Sequence, residues 1–400
     1  MSATNGGTAI YNEFTGAVTI SGTAEVTSAN TSNTSGTICL GSVPPSSAPV
    51  LEIKGGTVKN TAGGNAVYNG FAGAIAVSGG TVSATSGKAI DNASTGKVTI
   101  SGNATVTSAN TSANEGTILF NTTSNSTAIV LEITGGTVKN TAGGNAVYNG
   151  YAGAINISGG AVSADGTSGT AIYNKSSGAV TVSGGTVSAD GTSGTAIWND
   201  ADGTVTVSDS GTVKATGEKG DAIYNYVGGV INTTGTVNIN GGTVESTGKE
   251  GRAIFNGNGG TLTVTNGTVT ATGENAVAIS NFNVVTVSGG TVSATGTSGY
   301  AIFSIGTVAV SGGTVESTSS CAIYNVSTAK ITISGSAEVT SANTDSTSGT
   351  IFLQSVPTGS PALVVLDRQD TAQVTNTATP TAGYAVSFNT NNTGVTSANV

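Results

Sequence analysis

Short apolar–polar–apolar triplets recur along the whole chain, as V-T-I at 18–20, V-T-V at 180–182 and V-A-V at 308–310. The second apolar residue falls at Ile20, Ile53, Val77, Ile100, Ile133, Ile157 and Val182, and continues to Val365. Most steps are 23 to 25 residues, and four are 32 or 33. A run like G-T-V-S-A (185–189) follows each triplet, and a run like A-I-Y-N (171–174) precedes it. Alternation places the two apolar residues of V-T-V on one face and the threonine on the other. The intervening Gly, Ser, Asn and Asp are turn formers. Valine holds one column of the second run (Val162, Val187, Val213, Val244), and Ile or Val holds one of the third (Val147, Ile172, Ile197, Ile223). A disordered Gly/Ser-rich chain would not keep such columns.

Three short strands per ~24 residues predict a parallel solenoid whose coils stack about 4.8 Å apart. The expectation is an all-β, right-handed parallel β-helix of about 14 coils with four longer ones. Each coil is expected to give one strand to each of three sheets, in one continuous domain over residues 1–400. The GGTVSA…AIYN pattern resembles the right-handed parallel β-helix superfamily that includes pectate lyases, phage tailspikes and bacterial adhesins. It is most similar to Gly/Thr/Asn-rich repeat regions of bacterial cell-surface adhesin-like proteins. The resemblance covers nearly the whole chain and implies architecture; a fold alone does not fix an activity.

A longer period overlies the coils. GGTVKNTAGGNAVYNG stands at 55–70 and again, unchanged, at 135–150, as a recent duplication would leave it. The longer coils carry their extra residues mainly after the third strand, at 41–50, 121–130, 226–236 and 354–363. Loops gathered at one corner of a solenoid are candidate contact surfaces.

Two columns of the A-I-Y-N run carry candidate chemistry. Asn149, Asn174, Asn199, Asn225 and Asn256 share a side with the inward isoleucine and are expected to form a structural amide ladder. Leu40, Phe120 and Leu353 replace this Asn in three longer coils. The preceding residue should point outward: Tyr148, Tyr173, Trp198, Tyr224 and Phe255 form a stripe that can pack on itself or serve as a platform for sugar rings. Asp91 and Ser280 fall in the same column, and an unpaired carboxylate there argues for exposure.

Composition narrows the function. Only 8% of residues are charged, the net charge is −9, and histidine is absent. Without a Lys/Arg cluster, nucleic acid is not an expected partner; without an apolar run of about 18 residues, neither is membrane insertion. MSATNGG lacks the basic start and apolar core of a signal peptide. Cys39 and Cys321 are too few and too distant to suggest a disulfide framework. Asp165 and Asp190 stack in a duplicated ADGTSGTAI motif, a weak candidate for Ca²⁺ or for a carboxylate pair; no other cofactor is expected. Lys214 and Glu245 share a column and suggest a surface ion pair. Lys59, Lys139 and Glu245 interrupt the T-V-S face and count against a minor alternative, ice binding. The reading is a non-catalytic, extracellular or cell-surface solenoid that extends, presents or adheres to a glycan or protein. The alternative is a polysaccharide-binding or polysaccharide-degrading β-helix. The sequence stops mid-pattern at TSANV (396–400), so the coil ends are expected to meet the rest of a longer chain.

Overall fold

The computed structural model describes all residues except 4–5, 14–15, 42–45, 123–125, 227–234, 346–347, 355–363, 367–370, 379–385 and 389–400. Regular structure among the described residues is entirely strand. None of it is a helix long and apolar enough to cross a membrane. The chain forms two compact units, Met1–Thr204 and Val205–Val400, and each is built as a right-handed parallel β-solenoid.

Within the first unit, eight AIYN-type strands run from Ile10–Asn12 to Thr195–Asn199. Within the second, seven run from Asp221–Asn225 to Val386–Phe388. Register follows the sequence columns, as Val162 pairs with Val187 and Ile172 with Ile197, except at the last triplet, where Leu366 rather than Val365 pairs with Ile333. In the second unit Val244 pairs with Val269, and Ile254 with Ile279. The stacked apolar columns make the core: Val77, Ile100, Ile133, Ile157 and Val182 are fully buried in the first unit, as are Ile239, Val264 and Val287 in the second. Each coil's apolar face is covered by the coils before and after it, so cohesion sums from neighbour to neighbour.

The strands group into two sheets rather than the three expected. V-T-V and T-V-S-A run on as one bent strand, as in Val180–Ala189, with the register slipping at the glycine pair. Gly185 has φ +68°, and a Cβ there would lie 2.5 Å from the Gly160 carbonyl of the preceding coil. The left-handed bend therefore needs glycine twice over, for its φ and for the close approach of two backbones. It turns the chain without breaking the ladder, which merges two predicted sheets into one. Cys39 and Cys321 are both buried free thiols.

Candidate functional site

The AIYN sheet carries the side chains with most chemistry. Its inward asparagines are linked from coil to coil. In the first unit Asn149 Nδ2 donates to Asn174 Oδ1 at 2.9 Å, and Asn174 Nδ2 to Asn199 Oδ1 at 3.0 Å. In the second, Asn225 donates to Asn256 and Asn256 to Asn281, each at 3.0 Å. The same amides hold the turn that follows: Asn174 Nδ2 reaches the Gly178 carbonyl at 2.8 Å, and Asn199 Nδ2 the Gly203 carbonyl at 2.8 Å. Asn225 spans the longer insertion to Gly235 O at 3.0 Å. The ladder has a direction, each Nδ2 donating to the next Oδ1. Leu40 and Phe120 cannot donate, and they precede Asn69 and Asn149 in register. The buried Oδ1 atoms of Asn69 and Asn149 have no protein partner, as that polarity requires.

A second amide column was not anticipated. Asn60 Nδ2 donates to Asn30 O, and Asn140 Nδ2 to Asn110 O, each at 2.9 Å. Asn376 does the same to Asn343 O at 3.0 Å. Its sequence signal is the Asn ending T-S-A-N and T-V-K-N, which can be read as a plain turn residue.

The outward aromatic column is packed on itself. Tyr148 and Tyr173 have centroids 5.3 Å apart, and Tyr173 and Trp198 5.0 Å apart. Tyr173 Oη donates to Asp200 Oδ2 at 2.7 Å. In the second unit Tyr224 stacks on Phe255 at 4.7 Å and 10°, and Phe282 lies 5.1 Å from Phe255. The coil spacing brings each ring against the next: the first-unit pairs meet tilted at 52° and edge-on at 71°, whereas Tyr224 and Phe255 stack face to face. Tyr148 and Phe255 are buried, Tyr173, Trp198 and Tyr224 are half-buried, and Tyr11 is exposed.

Asp91 and Ser280 are not exposed as their place in this column predicts. Both are buried, at 5% and 6% exposure. Ser280 is a short rung between Phe255 and Phe303. Asp91 is paired: Lys88 Nζ lies 3.3 Å from Asp91 Oδ2 and 3.0 Å from Glu115 Oε1. Asn110 Nδ2 donates to Glu115 Oε2 at 3.1 Å, and Asn65 Nδ2 to Asp91 Oδ2 at 3.4 Å. Burial pushes the Asp91 carboxyl up to about 6 despite Lys88. Glu115 is pulled the other way: burial raises it, but Asn110 and Lys88 outweigh that and leave it below its ordinary value. Strand alternation would separate residues three apart. Lys88, however, precedes the strand Ile90–Asn92, where alternation does not apply.

A second charged contact lies in the other unit. Arg252 donates through Nε and Nη2 to both carboxylate oxygens of buried Asp221, each at 2.7 Å. Its guanidinium carbon lies 4.4 Å from the Phe255 ring centroid. This bidentate, stacked geometry is specific to arginine. The sequence signal was an Asp and an Arg one coil apart in the column before Ala.

The remaining candidates fare differently. Asp165 Oδ2 is held by Lys139 Nζ at 2.6 Å, so its carboxylate already has a cation. No group of three or more potential metal ligands occurs among the described residues. Lys214 and Glu245 sit in register and are half-buried, but the expected ion pair does not form: holding two long side chains in one geometry offsets the modest attraction. Part of each longer-coil corner insertion lies outside the described residues: 42–45, 123–125, 227–234 and 355–363.

No family model, curated protein or solved structure matches this chain.

Proposed function

We propose that this protein is a non-catalytic structural and adhesive solenoid, extracellular or on a cell surface, that presents a contact surface to a glycan or another protein. The observation that carries this reading is the use of its polar and aromatic columns. The Asn amides link coil to coil, and the rings lie against their neighbours. Side chains tied together in this way stiffen a scaffold, leaving the half-buried rings and exposed turn residues for contact. The test is adhesion of protein-coated beads to glycan and extracellular-protein arrays, with reducing ends and unsaturated products assayed in parallel. Retention on an array without product release fits the proposal; product release from any polysaccharide overturns it.

A second reading, a polysaccharide-degrading β-helix, is favoured by one observation. Asp91 and Glu115 flank Lys88 and are shifted in opposite directions, as an acid and a base sharing a site can be. The same product assay separates the two readings.

A further inference from the structure

Turn length shapes the outer face of the AIYN sheet in the first unit. The usual distance from the T-V-S-A valine to the A-I-Y-N isoleucine is ten positions, as from Val187 to Ile197. It is eight from Val82 to Ile90, nine from Val58 to Val67, and twelve from Val26 to Ile38 and from Val106 to Ile118. Two short-turn coils therefore lie between two long-turn coils. The long turns rise on either side, and a notch opens between them.

The notch has a volume of about 270 Å³. Asn33 and Thr34 of one long turn line one side, and Glu115 of the other long turn lines the opposite side. Tyr68, Lys88, Asp91 and Leu119 complete the lining together with Ala93 and Asn121. Tyr68, Asp91 and Leu119 are consecutive rungs of the outward column. Here, unlike further along, that column is not an unbroken stack of rings. The second unit repeats the step: eight positions separate Val315 from Ile323, and twelve separate Val339 from Ile351. A recess of about 440 Å³ lies there, lined among others by Cys321, Tyr324, Asp345 and Phe352. A short-turn coil followed by a long-turn coil thus builds a recess in each unit.

Only the first recess holds a buried mixed-charge cluster. Lys88 is 3% exposed and sits within ion-pair distance of two carboxylates. An anionic ligand would meet both carboxylates, and a cationic one would meet Lys88 between them. A neutral ligand with several hydroxyls meets neither penalty. It finds carboxylate acceptors, the amides of Asn33 and Asn121, and the hydroxyls of Thr34 and Tyr68. Leu119, Ala93 and the Tyr68 ring give an apolar patch for its C–H face. The volume lies near the small end of ligand sites, roughly 300–1,000 Å³, which fits one sugar ring rather than an extended chain.

We propose that the notch around Lys88, Asp91 and Glu115 is a binding site for a neutral, monosaccharide-sized polyol. It occupies the stretch of the outward column where the run of rings is interrupted, and its failure would leave the scaffold reading untouched. The test is saturation-transfer NMR on the full chain with D-glucose, D-galactose, D-mannose and N-acetyl-D-glucosamine, each at millimolar concentration. D-glucuronate and D-glucosamine serve as charged counterparts. At least one neutral sugar gives transfer, and the charged sugars bind roughly tenfold more weakly. Thr34→Trp fills the exposed rim without touching the ion cluster and abolishes the signal. Glu115→Gln removes one acceptor charge and weakens binding, whereas Asp345→Asn, in the other recess, leaves it unchanged. Circular dichroism checks that each variant keeps its β-structure. Absence of transfer from all four neutral sugars overturns the proposal, and so does transfer that persists at wild-type strength in Thr34→Trp.

Discussion

Replacing Asn174 with alanine tests whether the amide column holds the coils together. Asn174 is fully buried. Its Oδ1 accepts from Asn149 Nδ2 at 2.9 Å, and its Nδ2 donates to Asn199 Oδ1 at 3.0 Å and to Gly178 O at 2.8 Å. Alanine removes these three bonds, together with two longer ones to Ser176, and deprives the turn carbonyl of Gly178 of its amide donor. Each bond is worth about 1 kcal/mol net, and a buried polar group left unmatched costs about 1–3 kcal/mol. The expected loss is therefore about 3–5 kcal/mol by that scale, measured by denaturant unfolding. Because each coil senses only its neighbours, hydrogen exchange should accelerate first in the amides of residues 145–149, 170–178 and 195–203. Asn174→Leu separates hydrogen bonding from packing. Leucine is fully buried at the equivalent position 40, so its bulk is tolerated in the column, yet it can neither accept from Asn149 nor donate to Gly178. It is expected to be as destabilising as alanine. If Asn174→Leu matches the wild type, or Asn174→Ala loses less than about 1 kcal/mol, the amide-ladder reasoning is refuted.

Three further outcomes follow from the charged clusters and the turns. Burial lifts Asp91 to about 6 in the folded protein, against an ordinary value of 3.8; the folded state then holds this proton more tightly than the unfolded chain. Stability should rise by about 2 kcal/mol as pH falls from 7 to 4.5, before Glu115 begins to work the other way, and Asp91→Asn should flatten that slope in pH-dependent melts. Arg252→Lys keeps the charge but loses the two-pronged grip on Asp221 and the contact with Phe255; a loss of about 1–3 kcal/mol is expected in chemical denaturation, and no loss would show the fork to be dispensable. Ser298 has φ +59°, where a side chain costs about 1–2 kcal/mol; Ser298→Gly should raise the melting temperature slightly, net of glycine's extra unfolded-state entropy, and a lowered one would contradict the strain argument.

The coil, its strand segments and their inward residues are legible in the amino-acid order alone. A residue's face within a strand depends on its immediate neighbours, and a repeat prints that answer many times. The inward asparagines were legible for the same reason, since they keep step with Ile172 and Ile197. The tertiary structure decided what lies between coils and at turns. A lone carboxylate belongs in solvent, which predicts an exposed Asp91; Lys88 and Glu115 change that, and Glu115 reaches Lys88 from the longer turn of the next coil. The aromatic stripe was visible, but whether its rings faced solvent or one another depended on spacing and tilt across coils. The merging of two sheets rested on the left-handed bend at Gly185 against the Gly160 backbone. Apart from Lys88 and Asp91, which lie three residues apart, these contacts join residues about one coil apart, and the free energy of a buried charge, a ring contact or a close backbone approach is set by what the neighbouring coil places there.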